Sequence, residues 1–121
     1  MSHVDNLTNS LAAGGGLLYR YRHEDDFGAP ETCFLCCSFW HAEALARIGR
    51  QDEAADLFSR LLEYGNHLGL FSEDVAPADG SQWGNFPQTY VHAGMLNAAF
   101  RIAARPDWSP WSNMKIRRFG Q

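Results

Sequence analysis

Positive charge is scarce in this chain. Ten Lys and Arg stand against fourteen Asp and Glu, leaving a net charge of -4. Neutralising a phosphate backbone needs clustered cations. The nearest approach is Lys115, Arg117 and Arg118, three charges at one end. No nucleic-acid partner is expected. Long apolar runs are also missing: none approaches the roughly 18 residues of a membrane span. The start, "MSHVDNLTNS", lacks the basic and apolar regions of a secretory signal. No membrane partner is expected, and the cytoplasm is the expected location. Cysteine is confined to Cys33, Cys36 and Cys37, all within "TCFLCCSFW". An odd count packed this closely excludes a disulfide framework. On a helix, Cys33, Cys37 and His41 would share a stripe that could hold a soft metal. Free cysteines set among Phe34, Leu35, Phe39 and Trp40 read better as small buried apolar groups.

What is present is ordinary globular composition. Hydrophobic residues make up 45% and charged residues 20% of 121 positions, enough for one domain with a core. The pattern reads as all-α. A short helix from His3 to Ala13 ends at three glycines. A long one from Glu31 to Ile48 follows Pro30 and stops at Gly49. Its first half is apolar on every side, the mark of a buried helix. The segment from Asp52 to Tyr64 carries one apolar stripe (Ala54, Leu57, Phe58, Leu61) and one polar stripe, so it is a surface helix. Pro87 to Ala104 is again apolar nearly all round, with Asn85 as a reasonable N-cap. The tail from Pro106, with Trp108 and Trp111, reads as an irregular strap. Residues 1–105 thus form the domain, and 106–121 the tail.

Buried and surface helices alternate, and their links are lopsided. Gly49 to Gln51 is a tight turn; Gly14–Pro30 and Gly65–Phe86 are long. Long links in a compact domain tend to carry function. In antiparallel αα-hairpins both would fall at the end where the buried helices begin. "GAPETCFL" and "GNFPQTYV" each lead from such a loop into a buried helix. Pro30 and Pro87 set their period near 57 residues, which suggests stacked helical hairpins. One loop, "GLFSEDVAPADGSQWGNFPQTY", brackets Glu73 and Asp74 with Phe71, Trp83, Phe86 and Tyr90. Such a loop could seat a carboxylate beside a flat, hydroxylated substrate. It could equally be a well-packed structural loop.

The blocks "GGGLLYRYR", "FLCCSFWHAEALARIGRQDEAADLFSRLL", "GLFSED" and "GNFPQTYVHAGMLNAA" resemble, in order, glycoside hydrolase family 15, the family of glucoamylases and bacterial trehalases. The resemblance runs to about Ala104. It implies part of an (α/α)6 toroid, with Glu31–Ile48 and Pro87–Ala104 as inner helices and Asp52–Tyr64 as an outer one. It also implies inverting hydrolysis of α-linked glucosides or oligosaccharides, with one carboxylic acid protonating the leaving oxygen and one carboxylate activating water. Glu73 falls where the family carries the general base. Arg20, Tyr21 and Arg22 fall in the stretch that binds sugar hydroxyls, and which arginine points inward stays open. Glu31 either lines the pocket or favours the helix N-terminus as an anion. Trp83 and Tyr90 either line the pocket or belong to the core. His92 reads as a hydrogen-bonded core histidine. The chemistry requires no cofactor.

Two expectations follow from what the resemblance leaves out. Four helices are too few to close a toroid, and no residue here matches the family's general acid. The chain alone is expected to hydrolyse glycosides weakly or not at all. Its apolar helices would expose their flanks, so a homo-oligomer, or association with the rest of the ring, is expected. The competing reading is a tetratricopeptide-like interaction module, which "ALARIGRQDEAADLFSRLLEYG" resembles. Those repeats recur at about 34 residues, and the chain shows no second copy at that spacing.

Overall fold

A computed structural model of the chain describes residues 2–104. Its order is α1 (His3–Leu11), β1 (Ala12–Gly14), β2 (Leu17–Leu18), β3 (Cys33–Phe34), α2 (Leu35–Arg47), α3 (Gln51–Leu62), β4 (Asp74–Val75), β5 (Gln82–Trp83) and α4 (Thr89–Ala103). The proposed strap, 106–121, lies outside the described residues.

Helices dominate, but the all-α expectation needs correction. An antiparallel hairpin, β1–β2, follows α1, and β3, β4 and β5 form a three-stranded antiparallel sheet. The sheet shortens the second helix. Cys33 and Phe34 pair with Val75 and Asp74, so their backbone groups serve a ladder and α2 starts at Leu35. Glu31 therefore does not begin a helix. It lies exposed in the segment before β3. Cys33 also leaves the helical stripe it was expected to share with Cys37 and His41. The glycines after α1 form the turn of the β1–β2 hairpin. Gly16 has φ +87°, and a Cβ there would stand 2.5 Å from Leu57 Cδ1, so that turn has room only for glycine.

The core gathers around α2, which packs against α3, α4 and, at its edge, α1. Phe39 is fully buried, with Phe58 and Phe71 edge-on to it at centroid distances of 5.9 and 5.5 Å. Edge-to-face rings favour each other through their quadrupoles. Helix α3 buries Ala54, Leu57 and Leu61, as its stripe predicts, and turns Asp52, Glu53 and Asp56 outward. Helix α4 differs from its pattern. It buries Val91, Gly94 and Ala98, while Tyr90, Leu96 and Phe100 stand exposed. No helix among the described residues is long and apolar enough to cross a membrane.

The N-terminal helix is attached mainly by polar contacts. Ser2 and Asp5 form a capping box. Asp5 also binds Arg50, which pairs with Glu53 at the start of α3. Donation from Arg50, then from Ser2, holds the Asp5 carboxyl down at about 2.

Candidate active site

Both apolar helices start from one short run, Phe71–Glu73. The Leu35 N–H, first in α2, donates to the Glu73 carbonyl at 3.1 Å. The Gln88 N–H, at the cap of α4, donates to the Phe71 carbonyl at 2.9 Å. Neither helix has a side-chain cap; these carbonyls occupy donors that would otherwise be orphaned. The Glu73 N–H donates in turn to the Asn85 carbonyl at 2.9 Å. Asn85 thus joins Glu73 and does not cap α4, whose cap residue is Gln88.

Pinned at both ends of its peptide, Glu73 presents its carboxylate to three donors. Arg20 Nη2 donates to Oε1 at 3.2 Å. The Asn85 N–H and Nδ2 donate to Oε2 at 3.3 and 2.8 Å. The Arg20 guanidinium lies over the Phe34 ring, 4.1 Å from its centroid, so a cation–π contact orients it. Donation from the Asn85 backbone N–H, ahead of the Arg20 guanidinium, holds the Glu73 carboxyl below the usual glutamate range against the effect of its partial burial. The Glu73 side chain is 24% exposed and that of Arg20 is 50% exposed. The ion pair itself therefore adds little stability.

The other candidates separate. Arg22 turns from Glu73 and lies 5.4 Å from the Tyr19 ring centroid. Tyr21 donates its hydroxyl to Asp25 at 2.6 Å, bracing the turn that ends at Gly28. Trp83 sits in β5 opposite Asp74, 58% exposed, with Nε1 donating to Ser81 Oγ at 2.8 Å. Tyr90 is 71% exposed in the first turn of α4. Both rings lie at the surface and outside the core. Asp74 points away from Glu73's partners and accepts from Thr32 Oγ1 at 2.7 Å. His92 is the expected core histidine: Nε2 accepts the Phe71 N–H at 3.3 Å and Nδ1 donates to the Gln88 carbonyl at 2.7 Å. Burial pushes the Cys33 and Cys36 thiols up to about 11, so neither is a nucleophile near neutral pH. No group of three or more His, Cys, Asp or Glu among the described residues could hold a metal.

Sequence reasoning missed Asn85, Phe34 and Gly84. The usable signal was the second long loop, which had to return its end to Glu73. Gly84 has φ +77°, and a Cβ there would lie 3.0 Å from Glu73 Cβ and 3.1 Å from Oε2. Gly84→Ala is expected to cost about 1–2 kcal/mol of backbone strain. It should also push the carboxylate off Asn85. The depressed pKa of Glu73 stabilises the fold above the ordinary glutamate value, and this is lost as pH falls through the folded value. The substitution should raise the carboxyl titration toward the ordinary value and shrink that contribution. A carboxyl NMR titration checks it; an unmoved Glu73 would show that the glycine is not needed there.

The site is an open face. A cavity of about 420 Å³ lies elsewhere, between α1, the β1–β2 hairpin, α2 and the start of α3, with Asp5, His41, Arg50 and Leu57 in its lining.

The profile of Glycosyl hydrolases family 15 matches residues 2–100. The chain belongs to this family. A trehalase of Mycobacterium tuberculosis (strain ATCC 25618 / H37Rv) is 38% identical over 102 residues, covering 82% of this chain and 15% of the trehalase. A trehalase of Thermoplasma volcanium is 35% identical over 99 residues, 82% of this chain and 16% of that protein. One from Mycolicibacterium smegmatis is 39% identical over 90 residues, 72% of this chain and 14% of that protein. The chain therefore spans about one-sixth of the length of these relatives or slightly less. No solved structure matches it. The family 15 match includes the whole α2–α3 hairpin on which the tetratricopeptide-like reading rested.

Proposed function

We propose that this family 15 chain is a segment of an inverting α-glucoside hydrolase and that Glu73 is its general base. The observation that carries the reading is the Glu73 carboxylate, kept anionic by Asn85 and Arg20 at the start of both apolar helices. A base must be ionised and must keep a free lone pair for water. Two carboxylate oxygens offer about four acceptor sites. Three donors occupy Glu73, which leaves room for one water. The low pKa secures the ionised form at neutral pH but weakens the base, so the water must be held by other groups as well.

Arg20 has further donors for sugar hydroxyls, and its fork suits paired acceptors. Trp83 and Tyr90 present exposed ring faces for a pyranose, while Tyr21, Arg22 and Glu31 form the rim. In this reading α2 and α4 are inner helices and α3 an outer helix of a partial toroid built from residues 1–105. The protein works in the cytoplasm, either with a second copy or with the rest of a ring. No residue of the chain is assigned as general acid. The relatives' names favour trehalose among α-glucosides.

The test is a hybrid enzyme in which residues 2–100 replace the matching segment of the Mycolicibacterium smegmatis trehalase. Trehalose hydrolysis that releases one β-glucose and one α-glucose per trehalose, followed by NMR before mutarotation, is expected. A folded hybrid without activity would overturn the proposal.

A further inference from the structure

Two apolar surfaces are left uncovered among the described residues, one on α4 and one between α1 and α2. One is a ridge on α4, where Leu96 and Phe100 are 51% and 73% exposed. The other is a groove of about 260 Å³ between α1 and α2, walled by Val4, Leu7, Leu11, Leu18, Trp40 and Ala44. Leu7 and Trp40 at its lip are 46% and 52% exposed. No Asp, Glu, Lys or Arg lines it. The ridge is convex, the groove concave, and both belong to every copy.

We propose that the α4 ridge of one copy seats in the α1–α2 groove of a second copy, giving head-to-tail self-association. This deepens the association reading above by naming its two faces. Charge sets the direction. Arg101 lies in the last turn of α4. The groove end beside Val4 and Thr8 adjoins Asp5, Arg50 and Glu53, two carboxylates and one guanidinium. That end lies past the C-terminus of α2, because Arg50 stands three residues beyond Arg47, the last residue of α2. A ridge lying parallel to α2 brings Arg101 to this negative end; the reversed ridge takes it away.

Area sets the strength. The exposed parts of Phe100 and Trp40 amount to on the order of 250 Å² of aromatic surface. With Leu7, Leu96 and a polar rim this reaches the low end of specific interfaces, below about 1,200 Å² in total. Association is therefore reversible and concentration-dependent. Each joint leaves one ridge and one groove free, so growth passes beyond two copies or closes into a ring.

Sedimentation velocity on the full chain over a concentration series tests this. Wild type should rise from one chain to two or more. Leu7→Glu, which spoils the groove, and Phe100→Glu, which spoils the ridge, should each stay at one chain; Leu96→Glu repeats the ridge test. All three positions are exposed, and circular dichroism checks that the variants fold. Mixing Leu7→Glu with Phe100→Glu leaves one good ridge and one good groove, so the mixture should form a dimer and stop there. A Leu7→Glu protein that still self-associates would mean a symmetric ridge-to-ridge dimer, overturning the head-to-tail contact while association stands. A wild type that remains monomeric overturns both. A mixture that stays monomeric overturns the head-to-tail contact.

Discussion

Glu73→Gln in the hybrid trehalase is expected to lower kcat by about 10²–10⁴-fold, the usual contribution of a positioned acid or base. That is about 3–5 kcal/mol of transition-state stabilisation. Glutamine keeps the shape and one acceptor oxygen for Arg20, so KM should change little. What it cannot do is take a proton from water near neutral pH. The remaining rate would come from binding and from the acid half of the site. Steady-state kinetics on trehalose, with wild-type hybrid beside the variant, give the answer. A loss below about tenfold would remove Glu73 from the role of base, because no general base contributes so little.

The largest stability effect is expected at Phe71. Its ring is 1% exposed, edge-on to Phe39 at 5.5 Å and to His92 at 5.6 Å. Gly65 leaves space beneath it: a Cβ there would sit 3.0 Å from the ring tip. Phe71→Ala removes a ring that α2 and α4 both pack around, and the backbone hydrogen bonds to His92 and Gln88 prevent easy collapse of the hole. The expected cost is about 3–5 kcal/mol. Small domains have a total of about 5–15 kcal/mol, so the variant should lose a large share of its stability and its Tm should fall by about 12–40 °C. Because Glu73 lies two residues on, what structure remains should lose the Arg20 contact. Urea unfolding measures the first effect. A cost below about 1 kcal/mol would show that the helices do not depend on this ring.

Much of the fold was legible because helical periodicity is a local property. The stripe of Ala54, Leu57 and Leu61 predicted which face of α3 is buried, and Gly49 marked the α2–α3 turn. The start of α2 was not legible. Cys33 and Phe34 read as helix, and only Asp74 and Val75, some forty positions away, turn them into a strand. The apolar surroundings of α4 were visible in sequence, but not that Tyr90, Leu96 and Phe100 would stay uncovered. Burial depends on which neighbours exist, and one helix pattern does not show them.

The candidate site divides in the same way. By itself the sequence determined the residue types: a glutamate in a turn-rich loop, two arginines in an extended stretch, and two long loops feeding apolar helices. It also determined family 15 membership, since that rests on the order of its blocks. Only the tertiary structure decided that Arg20, and not Arg22, reaches Glu73, that Asn85 holds the same carboxylate, and that Trp83 and Tyr90 face outward. Alternation along an extended segment puts positions 20 and 22 on one side and cannot rank them. The choice came from the Phe34 ring, which the β3–β4 pairing places under one guanidinium and not the other.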